Sequence, residues 1–250
     1  MKLTSYKTPI LYPNSNLLEI IFSVIPTLPE KSVLCISSKA VALAEGSVEK
    51  KITGTREEKH VLVAREADSY LPANLSEFDV MLTITNGMLA VNAGIDESNA
   101  NDLYVLWPKD PYASAAWYWK KLREHYSVKE LGIVITDSKT TPLRWGIIGT
   151  SVSYCGFQAL FDRIGEPDIF GRKLVMTKEN IAEGLAVSAN IEMGEGADRK
   201  PLVVVEDIPR INFSSQPPSQ SELDLFNIAP EDDVYGPLLT SVSWQKNTKS

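Results

Sequence analysis

Histidine and cysteine are scarce: the 250-residue chain has two of each. His60 and His125 show no metal-ligand spacing, so neither a Cys/His zinc centre nor a Ser-His-Asp triad finds support. Cys35 and Cys155 lie in apolar stretches, the setting of buried free thiols in a reducing cytoplasm. Positive charge is also short. Lys and Arg number 25 against 32 Asp and Glu, a formal net charge of −7, which disfavours a nucleic-acid groove or an anionic membrane surface. No apolar run approaches a membrane span, and MKLTSYKTPILYP lacks the apolar core of a signal peptide, so the expected location is the cytoplasm. Neither a Walker A pattern, a clean GxGxxG nor an internal repeat occurs. Any metal bound here would take oxygen ligands, the preference of Mg²⁺ or Mn²⁺.

With 44% hydrophobic and 23% charged residues the composition is that of a globular protein, long enough for one large domain or two small lobes. The most informative stretch is Leu131–Gly146, LGIVITDSKTTPLRWG. Gly132–Ile135 reads as a strand buried on both faces that stops at Thr136-Asp137-Ser138. An acidic residue and a hydroxyl at a strand end suit a metal or phosphate site; a turn-capping Asp is the alternative. A second stretch, Ala93–Asn99, crowds Asp96, Ser98 and Asn99 behind Gly94, as ligands or as an Asx turn. A third, Gly194-Glu195-Gly196, holds a carboxylate between glycines, as a ligand support or a helix stop.

Between these the pattern is mostly local. Thr8–Leu11 reads as extended. Asn14–Asn16 offers a cap for a helix with Leu17, Ile20, Ile21, Val24 and Ile25 at helical spacing, ended by Pro26. Val33–Ile36 reads as a strand running into small residues and a stop at Gly46, and Glu49–His60 as a solvated connector. His60–Arg65 and Asp79–Thr85 are strand candidates, with a helical turn between them at Glu66–Leu71. Leu103–Trp107 reads as a strand. Asp110 and Pro111 open a helix bearing Ala115, Trp119, Leu122 and Tyr126, and the Trp117–Trp119 cluster is expected in the core. Gly146–Phe157 favours strand and Asp168–Arg172 a turn. Thr177 is expected to cap a helix carrying Ile181, Leu185 and Ala189, followed by a strand at Leu202–Glu206. From Asn212 the chain is polar, apolar again at Leu223–Ile228, and frayed after Trp244.

Six stretches together resemble one family: SKAVALAEG (Ser38–Gly46), NAGIDESN (Asn92–Asn99), LWPKDPYASA (Leu106–Ala115), ITDSKTTPLRWG (Ile135–Gly146), the run Gly156–Leu174, and NIEMGEGAD (Asn190–Asp198). Their order matches that of the coenzyme F420-0:L-glutamate ligases, and the likeness covers about residues 5–230. The resemblance implies an α+β fold with mixed, largely antiparallel sheets in two lobes over residues 1–230, a tail at 231–250, and an intertwined homodimer. It implies a GTP-dependent, amide-forming ligase whose partners are small molecules: nucleotide, L-glutamate and a carboxylate acceptor, F420-0. Two Mg²⁺ or Mn²⁺ ions, with K⁺ as an accessory ion, would neutralise the phosphates. Carried over by position, Asp96 and Asp137 would hold one metal, and Ser138 (usually threonine in the family) with Glu195 the other. Thr8, Pro9, Ile10, Leu11, Ser38, Asn99, Met193, Gly194, Glu195, Gly196, Ala197, Asp198, Arg199 and Lys200 would contact GTP. Lys39 and Arg144 are the candidate catalytic cations. Arg144 could grip a phosphate or carboxylate through its fork, or form a structural ion pair.

Three departures bear on substrate. A family lysine falls on Leu43, a family arginine on Thr141 and a family histidine on Asn86. The alternatives are therefore the same chemistry on another carboxylate, or a non-catalytic nucleotide-binding relative.

Overall fold

The computed structural model describes residues 1–247. The chain begins with β1 (Lys2–Tyr6), a polar edge strand that no apolar pattern announced. Asn16 then caps α1 (Leu17–Val24) by accepting from the Glu19 amide. β2 (Ser32–Ser37) runs without a loop into α2 (Ser38–Glu45), which Gly46 ends in a left-handed conformation.

The next segment differs from the expected connector. It forms β3 (Val48–Lys50) and α3 (Arg56–Glu66), so His60–Arg65 is helix and not strand. The β-branched residues there favour strand locally, but the Thr55 side chain caps the helix, and Leu62 and Val63 bury in a small second core with Met81, Ala93, Ile95 and Tyr104. The expected helical turn at Glu66–Leu71 is instead β4 (Ser69–Tyr70). It pairs with β5 (Leu82–Thr85), which starts later than expected and turns back as β6 (Met88–Val91). β7 (Leu103–Val105) pairs with β3, and α4 (Pro111–Tyr126) follows with Asp110 as cap. Tyr118 and Trp119 are buried as expected of the aromatic cluster, whereas Trp117 is exposed.

β8 (Leu131–Thr140) overruns the expected stop at Thr136. β9 (Ile147–Cys155) pairs along its whole outer half, with a register shift at Ile135/Thr136, so Asp137 sits within a strand rather than at its end. β10 (Leu160–Asp162) and β11 (Lys178–Asn180) form a small hairpin before α5 (Ile181–Met193). The cap of α5 is Asn180, which accepts from the Glu183 amide; Thr177 lies upstream, its carbonyl accepting from Arg163. β12 (Leu202–Glu206), α6 (Gln220–Phe226) and α7 (Gly236–Leu239) complete the body. β13 (Gln245–Lys246) pairs with β4, so the expected fraying does not begin at Trp244; residues 248–250 lie outside the described residues.

The central sheet has the order β1-β12-β2-β8-β9 and is antiparallel except for β2 against β8. Both faces are covered, which accounts for the unbroken apolar runs of β2 and β8. Ile21, Val41 and Leu122 of α1, α2 and α4 pack on Ile36, Ile133 and Ile135. On the other face Ala182, Leu185, Ala186 and Ala189 of α5 pack on Val33, Cys35, Val134 and Val203. Gly149 lets α5 approach β9 closely: a Cβ there would lie 2.2 Å from the Ala186 carbonyl oxygen. The fold is α+β with mixed, mainly antiparallel sheets, as expected. No helix among the described residues is long and apolar enough to cross a membrane.

Candidate active site

At one end of the β2/β8 pair, five separate parts of the chain surround a cavity of about 580 Å³. The backbone draws them together. The Thr8 amide donates to the Arg199 carbonyl at 2.9 Å, and the Ser37 amide to the Pro201 carbonyl at 2.9 Å. Asn99 Nδ2 reaches the Gly196 carbonyl at 3.2 Å, tying the loop after Asp96 to the loop after α5. Thr8, Pro9, Ile10 and Leu11, together with Met193 through Lys200, line the cavity, as do Lys39, Asp96, Asn99, Asp137 and Ser138. Ser38 is buried behind it, beside Asp137. Arg144 stands apart on the exposed tip between β8 and β9, its guanidinium on the Leu143 carbonyl at 3.0 Å.

Asp137 is partly buried and accepts on both oxygens. Trp107 Nε1 donates to Oδ2 at 2.5 Å and the Ser138 amide to Oδ1 at 2.9 Å. Burial pushes this carboxyl above the ordinary aspartate range; the Trp107, Ser138 and Ser38 donors oppose that rise and the nearby Asp96 charge adds to it. Asp96 is placed by a two-bond bridge to Val105 and ion-pairs with Lys39. Its carboxylate also accepts from the Ser98 amide at 2.7 Å and hydroxyl at 3.0 Å. Burial pushes its pKa up, but Lys39 and Ser98 together outweigh burial and hold it below the usual range. Glu195 is exposed and accepts from Asn190 Nδ2 at 2.8 Å.

Sequence reasoning missed two of these partners. In sequence Trp107 is only the end of the Leu103–Trp107 strand, yet it is the main donor to Asp137. The available signal was Gly94: a Cβ there would lie 2.1 Å from Trp107 Nε1, so only glycine admits the indole. Asn190 opens the NIEMGEGAD stretch with no role assigned to it from sequence, and it steadies Glu195.

Among the described residues no group of three or more His, Cys, Asp or Glu side chains gathers tightly enough to hold a metal. Asp96, Asp137 and Glu195 nevertheless line one cavity, two of them satisfied by other groups, Asp96 by Lys39 and Glu195 by Asn190. Asp137 has only neutral donors around it. Carboxylate and hydroxyl oxygens, with Asp137 and Glu195 both lacking a cationic partner among the described residues, form a donor set suited to a hard divalent cation.

The family model described as F420-0:Gamma-glutamyl ligase matches residues 5–207, a span that contains every residue of this cavity. The chain is 33% identical over 214 residues to the coenzyme F420:L-glutamate ligase of Methanosarcina mazei, covering 81% of this chain and 84% of that protein. It is 32% identical over 207 residues to the ligase of the same name from Methanopyrus kandleri, covering 77% and 81%. The Archaeoglobus fulgidus protein of that name is 30% identical over 212 residues, covering 80% and 84%.

Proposed function

The chain belongs to the F420-0:gamma-glutamyl ligase family, and we propose that it forms an amide between L-glutamate and the carboxylate of coenzyme F420-0, driven by GTP. The observation that carries this reading is the meeting of Asp96, Asp137 and Glu195, from three distant segments, around one cavity. In the proposed reaction the γ-phosphoryl group passes to a carboxylate oxygen of the acceptor and GDP leaves. The glutamate amine then attacks the acyl carbon, the C–O bond to phosphate breaks, and the amine gives up a proton.

The chain's own part is positioning and charge. Lys39, Arg199 and Lys200 bring positive charge to a cavity that must accept a polyphosphate. Asn99 and the Thr8–Leu11 segment offer polar and backbone contacts to the nucleotide. Asp96 and Asp137, and Ser138 with Glu195, would hold two Mg²⁺ or Mn²⁺ ions, whose chemistry there is to neutralise phosphate charge and orient the γ-phosphate. The homodimer draws support from Leu143 and Trp145, which are 95% and 92% exposed on either side of Arg144. Light scattering should then read twice the chain mass of 27.7 kDa.

Incubation with GTP, Mn²⁺, L-glutamate and F420-0, followed by mass spectrometry, should show the acceptor gaining one glutamyl unit as GDP appears. Intact GTP and an unchanged acceptor would refute the reading. A different carboxylate acceptor is favoured by one feature: Leu43, where the family has lysine, lines the cavity and removes a cation from it. GTP cleavage stimulated by another acid and not by F420-0 would select that reading. Tight GDP binding without turnover on any acid would mark a non-catalytic relative.

A further inference from the structure

Glu97, next to Asp96, does not line the cavity. Asp96 is held by its bridge to Val105, with the Asp96 amide donating at 2.9 Å and its carbonyl accepting at 2.8 Å. Neighbouring side chains on extended backbone point to opposite sides. With Asp96 turned to the cavity, Glu97 turns to the second core. There Lys59 Nζ of α3 bonds Glu97 Oε1 at 3.0 Å, and Lys51 Nζ lies 3.2 Å from Oε2. Lys59 is only 7% exposed, and Lys51 also lies 5.2 Å from the centre of the buried Tyr104 ring. A nearly buried lysine is costly unless paired, so this geometry is closely determined.

Resting on the ligase reading above, we propose that Glu97, clamped between Lys51 and Lys59, is a positioning residue that aims Asp96 and Asn99 into the cavity. The clamp anchors the outer side of the Asp96–Asn99 loop, and the Val105 bridge anchors its start. With both in place, the Ser98 amide and hydroxyl can orient the Asp96 carboxylate, and Asn99 can span to Gly196. The clamp also has an electrostatic effect. Two lysines around one glutamate leave a net positive charge beside a cavity lined by four carboxylates, which eases the approach of a polyphosphate.

The test compares the full-length protein with Glu97→Gln, with the double variant Lys51→Met/Lys59→Met, and with all three changes combined. One readout is the affinity for GDP in the presence of Mn²⁺, by calorimetry. The other is amide hydrogen exchange across residues 95–100 without ligand. Gln can accept from only one of the two lysines. Affinity should fall roughly tenfold, the usual effect of losing a group that orients a metal ligand. Exchange at the Asp96 and Ser98 amides should quicken at temperatures where circular dichroism shows the fold intact. The triple variant should be no worse than either parent, because all three changes remove one device. Unchanged exchange, or additive losses in the triple variant, would overturn the clamp. Wild-type protein that binds no GDP with Mn²⁺ would instead overturn the ligase reading, and the exchange data would still decide the clamp.

Discussion

Replacing Asp137 by Asn separates a ligand role from a structural one, because the two predict different balances of stability and affinity. Both oxygens of Asp137 accept from fixed donors, Trp107 Nε1 at 2.5 Å and the Ser138 amide at 2.9 Å. An Asn side chain has one acceptor oxygen, so one donor would face an NH₂ group. Leaving a partly buried donor unpaired costs about 1–3 kcal/mol. Against this, the substitution removes a carboxylate that burial and Asp96 disfavour. These effects oppose each other, and the net change in stability should stay within about 2 kcal/mol, or a shift in Tm of no more than about 8 °C for a chain of this size. Affinity has no such compensation. Losing a charge-assisted bond to a divalent cation removes about 2 kcal/mol or more, at least roughly 30-fold in the Kd for GDP with Mn²⁺. Calorimetric titration of GDP with and without Mn²⁺ measures this, and the metal-dependent increment should vanish in the variant. If Asp137→Asn binds GDP with Mn²⁺ within about threefold of wild type, Asp137 is a structural acceptor and the cavity does not use it as a ligand.

Other outcomes follow from single contacts. Gly149→Ala would place a methyl 2.2 Å from the Ala186 carbonyl and 2.8 Å from Asn190 Cβ, so α5 must move off the sheet. A loss of about 1–3 kcal/mol is expected by thermal or urea unfolding, with weaker nucleotide binding because Asn190 carries Glu195; a variant as stable as wild type would show that α5 packs less tightly than described. Glu58 accepts from the amides of Ile52, Thr53 and Gly54 at 2.7–2.8 Å, which lowers its pKa to about 2 from 4.5. Because the folded value is depressed, its contribution is complete above pH 4.5 and is lost as pH falls towards 2. Glu58→Gln should therefore narrow the difference in urea midpoint between pH 7 and pH 3, and an unchanged difference would show that this loop does not depend on the carboxylate. Burial pushes the Cys35 and Cys155 thiols up to about 12. Ellman's reagent should label neither thiol in the native protein and both in guanidinium; rapid native labelling of Cys35 would contradict the packing of α5 over β2, and of Cys155 the packing of α4 over the opposite face.

Much of the framework could be read from the chain because it is specified locally. The Asn16 and Asp110 caps, Pro111 at the first helical position, and the apolar runs of β2, β8 and β12 act over a few residues. The order of the motifs also singles out Asp96, Asp137 and Glu195, which line one cavity. Local pattern misled where distant partners decided the outcome. The β-branched His60–Arg65 run is helical because Thr55 caps it and the second core takes Leu62 and Val63. β1, with only Leu3 and Tyr6 apolar, is a strand because β12 offers it a free edge. The extension of β8 past Thr136 depends on β9 pairing across it.

The sequence alone determined which residue types could meet a hard cation and a polyphosphate, since that is a property of their oxygens and charges. Only the folded chain decided which oxygens share a cavity. It set Trp107 on Asp137 across 30 residues, let Gly94 clear a path for that indole, and put Lys59 and Lys51 behind Glu97. These contacts are made by packing between elements far apart in the chain, where the spacing of neighbouring residues carries no information.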